Sequence, residues 1–338
     1  NHVQSVVERR NTIPILSNVL LEADNGVVTL TATDLEIEVR ERVEAEITQP
    51  GAITAPAHML YDIVRKLPDG AQVELAKDES AERLTLVSGK SSFMLQTLPR
   101  EDCPAMARDE MPVAFALSGS ELRRLIEKTR FAISVEETRY YLNGIYLHAL
   151  EEEGEQLLRA VATDGHRLAR VQITQPVGAT DMPAIIIPRK TVGEVQKLLE
   201  EAEGEVSLQV SDTKINFAFD NIVLTSKLID GKFPDYTRVI PVDNDKVLDV
   251  DAKSFAQSVD RVSAISSEKS RAVKLSLDTD SLGLSVSNPD SGNASDEISV
   301  SYQAEPLEIG FNARYLLDIT GQLDGETAAL ELSHGGAP

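Results

Sequence analysis

The residues best suited to chemistry follow one another as Asp164, Gly165, His166 and Arg167. An imidazole this close to a carboxylate could be drawn as an acid–base pair. No nucleophile or metal ligand is spaced to complete such a pair, so the stretch by itself does not predict catalysis. Because glycine tolerates positive φ and aspartate nearly does, Asp-Gly between two apolar runs predicts a two-residue β-hairpin turn.

Other catalytic and metal-binding patterns are incomplete. A Gly-Lys-Ser run at 89–91 ends like a phosphate-binding loop, but Leu84 holds its leading glycine position. Residues 266–269 fit Ser-x-x-Lys, which means little without its partner motifs. A calcium-type loop beginning at Asp278 has Leu282 at a ligand position. The five histidines and one cysteine lack zinc spacing, so the sequence predicts no enzyme, no cofactor and no metal site.

Length, charge and cysteine content narrow the class of protein. The chain has 338 residues, 42% of them hydrophobic, enough for two or three domains with packed cores. Its net charge of −22 argues against a surface that coats nucleic acid or membrane everywhere, although it leaves room for a local basic stripe. Cys103 is the only cysteine, so we expect no internal disulfide and a reducing, cytoplasmic setting. We find no signal peptide pattern and no apolar run of membrane length.

One pattern occurs three times along the chain. An amphipathic helix, a group of short alternating strands and a second amphipathic helix recur about 125–130 residues apart, a domain-sized period. Apolar stripes at helical spacing are Leu60, Ile63, Val64 and Leu67 in the first copy, Leu122, Leu125 and Ile126 in the second, and Phe255, Val259 and Val262 in the third. Ser118 and Glu121 predict a capping box before the middle helix.

The repeats predict an α+β fold of three like domains. Each domain is expected to hold two helices on antiparallel sheets, with perhaps eight short strands. Proline and charge interrupt the pattern near 108–111 and 241–245, so the expected domains are 1–110, 111–243 and 244–338. The sequence starts inside an apparent helix, and we expect it to be a trimmed view of a longer protein, with the first domain cut at its N-terminus and the third at its C-terminus.

Many cations of this acidic chain occupy helix positions outside the apolar stripes. They are Arg65, Lys66, Arg123, Arg124, Lys128, Arg130, Arg189, Lys190 and Lys197. Acidic residues concentrate instead in loops and strand edges, for example at 151–153. Such a basic helix face is either simply solvated or a sequence-independent surface for phosphates, and the charge pattern leaves both interpretations open.

Seven segments closely resemble the bacterial β sliding clamp family, the processivity subunit of DNA polymerase III. They are residues 12–18, 33–36, 139–144, 160–168, 188–190, 225–236 and 309–315. The likeness covers essentially the whole chain in one register. It implies three repeated DNA-clamp domains that assemble as a head-to-tail dimeric ring, with helices lining the hole and sheets forming the outer wall.

The resemblance also implies a function. A closed ring holds duplex DNA by enclosure, so its phosphate contacts can stay weak and exchangeable and allow sliding. The implied partners are double-stranded DNA of any sequence, a second copy of the chain, the polymerase catalytic subunit, the clamp loader and other clamp-binding proteins. Neither catalysis nor a membrane is implied.

Candidate DNA contacts follow from matching positions. They are Arg10, His58, Glu136, Tyr140 and Tyr141, to which the basic helix face adds Arg124, Lys128, Lys190 and Lys197. His58 stands where the family has arginine and Glu136 where it has glutamine, and both changes lower the local positive charge. The tyrosine pair could pack on the core or stack on unpaired bases near a primer end.

A groove for short Gln- and Leu-rich peptides of partner proteins is implied as well. Its matching positions are Leu142, Thr163, Gly165, His166, Arg167, Leu168, Pro234, Arg238, Val239, Asn312 and Tyr315. Ser270 stands where the family has phenylalanine, which predicts a smaller and more polar wall. The family's C-terminal strand also lines the groove, and the sequence does not include it. Without the resemblance, Leu142, Leu168 and Val239 would be interpreted as ordinary core.

The implied dimer interface pairs Phe93 and Leu95 on an edge strand of the first domain with Ala264 and Ile265 in the third domain of a second copy. The alternative function belongs to another class: an enzyme or small-molecule-binding protein that uses the groove around His166 on the same repeated scaffold.

Overall fold

The computed structural model describes residues 1–78, 82–107, 110–201, 204–266 and 271–337. They divide into two compact units, Asn1–Phe233 and Pro234–Pro338. Arg108 of the first candidate linker, the Ser-x-x-Lys candidate beyond Ser266, and Ser270 lie outside the described residues. Within the described residues, no helix is both long and apolar enough to cross a membrane.

In the first repeat, the described residues form seven strands and two short helices. Its elements are α1 (His2–Ser5), β1 (Asn18–Asp24), β2 (Val27–Thr33), β3 (Ile37–Glu44), β4 (Gly51–Pro56), α2 (Ala57–Val64), β5 (Glu74–Asp78), β6 (Arg83–Ser88) and β7 (Ser91–Gln96). The apolar stripe predicted a helix as far as Leu67, but α2 ends at Val64. Pro68 disfavours the helical conformation of the residue before it, and the chain leaves the helix through tight turns.

Eight strands and two longer helices are formed by the residues of the second repeat that the structure describes. Its elements are β8 (Val113–Ser118), α3 (Gly119–Arg130), β9 (Gly144–Glu152), β10 (Glu155–Thr163), β11 (Leu168–Thr174), β12 (Ile185–Pro188), α4 (Arg189–Glu201), β13 (Glu205–Val210), β14 (Lys214–Phe219) and β15 (Ile222–Lys227). The predicted capping box is confirmed: the Glu121 N–H donates to Ser118 Oγ at 3.2 Å, and the Ser118 N–H donates to Glu121 Oε2 at 2.9 Å.

One eight-stranded sheet joins these two repeats, in the order β4-β1-β2-β3-β15-β14-β13-β8. The junction is an antiparallel ladder between β3 and β15, in which Val39 lies opposite Leu224. Both side chains are almost completely buried and belong to one core shared by the two repeats. The sequence did not predict this continuity, because pairing between repeats leaves no local pattern. Among the described residues of this unit there are also two smaller sheets, β11-β10-β9-β12 and β5-β6-β7.

The third repeat is the second compact unit. Its elements are β16 (Lys246–Asp251), α5 (Ala252–Ser263), β17 (Ala272–Asp278), β18 (Ser281–Asn288), β19 (Gly292–Ser299), β20 (Leu307–Asn312), α6 (Ala313–Thr320) and β21 (Thr327–Leu332). Its sheets have the orders β19-β18-β17-β20 and β16-β21. The predicted stripe on α5 is confirmed, since Phe255, Val259 and Val262 are at most 2% exposed.

Candidate functional site

The hairpin between β10 and β11 turns through four residues rather than the predicted two, because Thr163 pairs with Leu168. The Asp164 side chain shapes the loop: its Oδ1 accepts the backbone N–H groups of His166 and Arg167 at 2.9 and 3.0 Å. Thr163 Oγ1 donates to the Arg167 carbonyl at 2.7 Å. These side-chain bonds satisfy the backbone groups of a wider turn, which an Asp-Gly pattern alone does not indicate.

Arg167 folds back from this turn onto the end of α3. Its Nη2 donates to the Phe131 carbonyl at 2.7 Å, and its guanidinium lies 5.2 Å from the centroid of the Phe131 ring. Nε also donates to Asp164 Oδ2 at 3.2 Å. The Asp164 carboxylate is therefore engaged with the loop backbone and Arg167, while His166 is exposed. The acid–base pair drawn from the sequence is not assembled.

Glycine is favoured at position 165, at the tip of the turn. Its φ of 87° lies in the left-handed region, and a Cβ there would lie 2.5 Å from Arg139 Nη1. Arg139 Nε in turn donates to Glu136 Oε2 at 2.6 Å. Glu136, a candidate DNA contact, thus holds the arginine that covers the turn.

The candidate peptide-groove residues divide between the two units. In the first unit Leu142 is 4% exposed, as expected of core, whereas Leu168 is half-buried. In the second unit Val239 is 63% exposed, which does not fit the core interpretation. Pro234 and Arg238 are also exposed. Asn312 caps α6 by accepting the Arg314 N–H at 2.9 Å, and this places Tyr315 in the first turn of α6.

The tyrosine pair lies on a 3₁₀ helix, Glu137–Leu142. The two rings meet edge to face with centroids 5.7 Å apart. Gly231 supports them from below, since a Cβ there would lie 3.1 Å from Tyr141 Cβ and 3.3 Å from Tyr140 Cε2. Tyr140 remains 53% exposed, so the structure presents its ring at the surface rather than packing it into the core.

A cleft of about 640 Å³ opens beside Tyr140. Its lining residues are Ser134, Val135, Tyr140, Asn143, Pro188, Arg189, Lys190, Gly193, Glu194 and Ile229. Two candidates from separate parts of the sequence, Tyr140 and Lys190, therefore lie on one surface. Sequence reasoning missed Asn143 and Gly193; a glycine inside a helical pattern was the signal that could have pointed to the second.

Several of the predicted basic positions are already paired. Lys190 Nζ contacts Asp34 Oδ2 and, at 3.2 Å, Glu8 Oε1. Partial burial alone would lower the pKa of Lys190, but hydrogen bonds and charge from Asp34 and Glu8 raise it. Lys197 donates to Glu194 at 2.8 Å.

On α3, Arg130 bonds Gln196 and Arg123 bonds the Leu199 carbonyl, so both arginines connect α3 to α4. Arg124 is exposed and Lys128 is half-buried on the same helix. The sequence places many basic residues on these helices, but several of their side chains are occupied by contacts within the protein.

Two candidate DNA contacts in the first repeat differ in their surroundings. His58 Nε2 lies 2.8 Å from the Val7 carbonyl, so its ring ties α2 to the segment after α1. Its Nδ1 is buried and meets no partner among the described residues. Arg10 is exposed.

The candidate interface residues lie at unequal depth. β7 is one of the two outer strands of the sheet β5-β6-β7, with Leu95 buried in the core of its own unit and Phe93 packed against that core. Met94, on the opposite face of β7, is 59% exposed. In the second unit Ala264 is exposed, and Ile265 packs against the core.

Comparisons with known proteins agree over the whole chain. Three family models of the DNA polymerase III beta subunit match: the N-terminal domain at residues 1–107, the central domain at 116–235 and the C-terminal domain at 237–338. The Beta sliding clamp of Caulobacter vibrioides is 54% identical over 337 residues, covering 100% of this chain and 91% of the relative. The Escherichia coli K12 Beta sliding clamp is 39% identical over 327 residues, covering 96% and 87%.

Solved structures give the same answer. The Caulobacter crescentus beta sliding clamp superposes with a TM-score of 0.97 at 54% identity, covering 100% of this chain and 90% of the other. A Bartonella birtlesii clamp solved bound to griselimycin has a TM-score of 0.96 at 54% identity, covering 99% and 90%. The chain therefore belongs to the bacterial β sliding clamp family, the non-catalytic processivity subunit of DNA polymerase III.

Proposed function

We propose that two copies of this sliding clamp close head to tail around duplex DNA and tether polymerases and other replication proteins to it, in the cytoplasm. The observation that carries the proposal is the three-domain match to the clamp family along the whole chain. The alternative, an enzyme or small-molecule-binding protein using His166, has no support in the family, and the Asp164 carboxylate is engaged elsewhere.

The DNA-facing surface would combine the exposed Arg10, Arg124 and Tyr140 with the half-buried Lys128. These few contacts suit a ring that grips by enclosure, since many strong phosphate bonds would slow sliding. Lys190 and Lys197 would contribute less to DNA binding than the sequence suggests, because Lys190 already pairs with two carboxylates and Lys197 with one.

Ring closure would use free strand edges. β7 ends one sheet of the first unit and β19 ends one sheet of the second, and each leaves a row of backbone groups unpaired within its own sheet. An antiparallel or parallel pairing between copies would satisfy those groups. Because the Leu95 side chain is buried within its own unit, Phe93 and Met94 would supply the accessible apolar surface of β7.

Partner peptides would dock at the turn of residues 163–168 in the first unit. In the second unit, the candidate peptide contacts are the exposed Val239 and Tyr315 in the first turn of α6. The 163–168 turn is held by five side-chain bonds before any ligand arrives, so little ordering cost remains for binding. A linear peptide suits such a surface because its side chains can occupy separate small pockets.

Retention on DNA tests the ring. After loading, the protein should stay on closed circular DNA and leave linear DNA through its ends, and light scattering should give the mass of a dimer. A monomer that treats both DNA forms alike would overturn the proposal. Reversing charge at Arg124 and Lys128 should reduce retention and flatten its dependence on salt.

Peptide binding tests the groove separately. Tyr315→Ala and Arg238→Ala should weaken a fluorescent Gln- and Leu-rich peptide by roughly tenfold while the dimer remains intact. Unchanged affinity in both variants would place the groove elsewhere.

A further inference from the structure

Two candidate peptide contacts, Arg238 and Val239, are neighbours on a short 3₁₀ helix of the second unit, Tyr236–Val239. The Arg238 side chain is 83% exposed, and Val239 is 63% exposed. A long arginine side chain in solvent samples many rotamers, and a ligand that binds it has to suppress them. Whatever holds Arg238 before a peptide arrives therefore affects how tightly that peptide binds.

One carboxylate contacts both the backbone of this helix and Arg238. Asp235 Oδ1 accepts the Thr237 N–H at 3.3 Å and the Thr237 hydroxyl at 2.6 Å, so Asp235 caps the helix. Asp235 Oδ2 lies 3.1 Å from Arg238 Nε. The two oxygens of one side chain therefore order different groups: the first orders the helix backbone, and the second orders the arginine.

The ion pair leaves the outer end of the guanidinium open. Arg238 approaches Asp235 through Nε, and its two terminal NH₂ groups make no hydrogen bond with the residues that the structure describes. A guanidinium presents its donors as a planar fork that matches oxygen acceptors. Arg238 can thus be held by Asp235 and bind a ligand at the same time.

The cap alone does not require the negative charge of Asp235. Asparagine caps helices about as well as aspartate does. Asn312 shows this at α6, where its amide oxygen accepts the Arg314 N–H at 2.9 Å and the candidate peptide contact Tyr315 follows in the first turn. The charge at position 235 therefore acts on Arg238.

The Asp235 carboxylate is charged at neutral pH. Its pKa lies below the ordinary value of an aspartate, chiefly because the Thr237 side chain donates a hydrogen bond to it, and the charge of Arg238 adds to the effect. The ion pair with Arg238 is therefore present under the conditions in which peptides would bind.

We propose that Asp235 is a positioning residue for partner peptides. Its carboxylate holds the Arg238 side chain so that the terminal NH₂ groups face the peptide beside Val239. The peptide groups that suit these donors are oxygen acceptors, namely backbone carbonyls and side-chain amides or carboxylates. Asp235 acts through Arg238 without touching the peptide, and the inference rests on the proposed peptide-binding function.

A double-mutant cycle separates positioning from capping. Asp235→Asn keeps an oxygen for the Thr237 groups but removes the charge that faces Arg238. Thr237→Val is the matched control, since it loses the hydroxyl bond to Asp235 and leaves Oδ2 to pair with Arg238. These variants, Arg238→Ala and the double variant with Asp235→Asn are titrated with a fluorescent Gln- and Leu-rich peptide by anisotropy. The thermal midpoint and the mass of the dimer are measured in parallel.

Asp235→Asn should weaken the peptide roughly threefold, an effect within the range of an exposed ion pair. In the Arg238→Ala background the same substitution should leave the affinity unchanged, because its effect passes through Arg238. Thr237→Val should bind like the unmodified protein. Full affinity in Asp235→Asn would overturn the proposal, as would an equal loss in both backgrounds or an equal loss in Thr237→Val.

Failure of the groove itself gives a different result. If the unmodified protein does not bind the peptide, or if Arg238→Ala binds it normally, the proposed groove is wrong and the role of Asp235 falls with it. If Arg238→Ala weakens the peptide and Asp235→Asn does not, the groove stands and only the positioning role is wrong.

Discussion

Two turns, one in each of the first two repeats, have the same backbone hydrogen-bond pattern but different surroundings. In the turn after β2, Asp34 Oδ1 accepts the N–H groups of Glu36 and Ile37 at 2.9 and 2.7 Å, as Asp164 does for the equivalent residues of the turn after β10. In both, the preceding threonine donates to the carbonyl four residues on, at 2.8 and 2.7 Å. The residue after each aspartate has a positive φ: 78° at Leu35 and 87° at Gly165.

Their surroundings separate them. The Asp34 turn is covered by the second repeat: Lys190 pairs with Asp34, and Lys227 Nζ donates to Glu36 Oε1 at 3.0 Å. The Asp164 turn leaves His166 exposed, and its Arg167 bonds within the same repeat. Duplication thus produced two copies of one turn, of which one became a structural junction and the other a candidate binding surface.

Removing the first aspartate should have the largest effect on stability. Asp34→Ala leaves two backbone N–H groups without their acceptor and removes one of the two carboxylate partners of Lys190, at a side chain that is only 8% exposed. We expect a loss of about 3 kcal/mol, seen as a thermal midpoint lower by about 2–4 °C per kcal/mol. Peptide affinity should not change. Asp69→Ala, at an exposed position, is the control. An equal loss of stability in that variant would show that the loss does not come from the contacts of Asp34.

Removing Asp164 should reduce stability less than removing Asp34 does, but it should reduce peptide binding more. Asp164→Ala should destabilise the protein by about 2 kcal/mol, since the turn is more exposed. It should also weaken partner peptides by roughly tenfold through loss of a preformed turn. Asp164→Asn keeps an oxygen for the backbone N–H groups, so it should retain most of both. If Asp164→Ala binds peptide normally, the contrast between the turns is wrong.

Placing leucine, the residue of the first turn, at position 165 of the second turn should have the third-largest effect on stability. Gly165→Leu places a side chain at positive φ and against Arg139, and should cost roughly 1–2 kcal/mol. The thermal midpoint and peptide anisotropy of this variant should both fall. Arg139→Ala in the same background should recover part of the loss by removing the clash; no recovery would show that backbone strain alone is responsible.

The reciprocal exchange should have the smallest effect. Leu35→Gly relieves the same strain but loses partly buried apolar surface and adds freedom to the unfolded chain, so stability should change by less than about 1 kcal/mol. Chemical denaturation measures this directly. A loss above 2 kcal/mol would mean that Leu35 packs as a core residue despite being 38% exposed.

Local features were predictable from the sequence. The capping box at Ser118, the stripe of α5 and the alternating strands depend on neighbours within a few residues, and the structure confirms them. The length of the Asp164 turn was wrong because two side chains replace backbone bonds. The pairing of Lys190 with Asp34 was missed because the partners are distant in sequence. Gly193 was visible, but helical periodicity gives no reason to expect a cleft beside it.

The ladder between β3 and β15 also affects how the first repeat can move against the second. Five residue pairs run in register across it, from Ile222 opposite Glu41 to Ser226 opposite Ile37. Flexing the first repeat against the second would have to unzip those hydrogen bonds together, against a common apolar interior. Bending at the seam between β3 and β15 should therefore be costly for the protein.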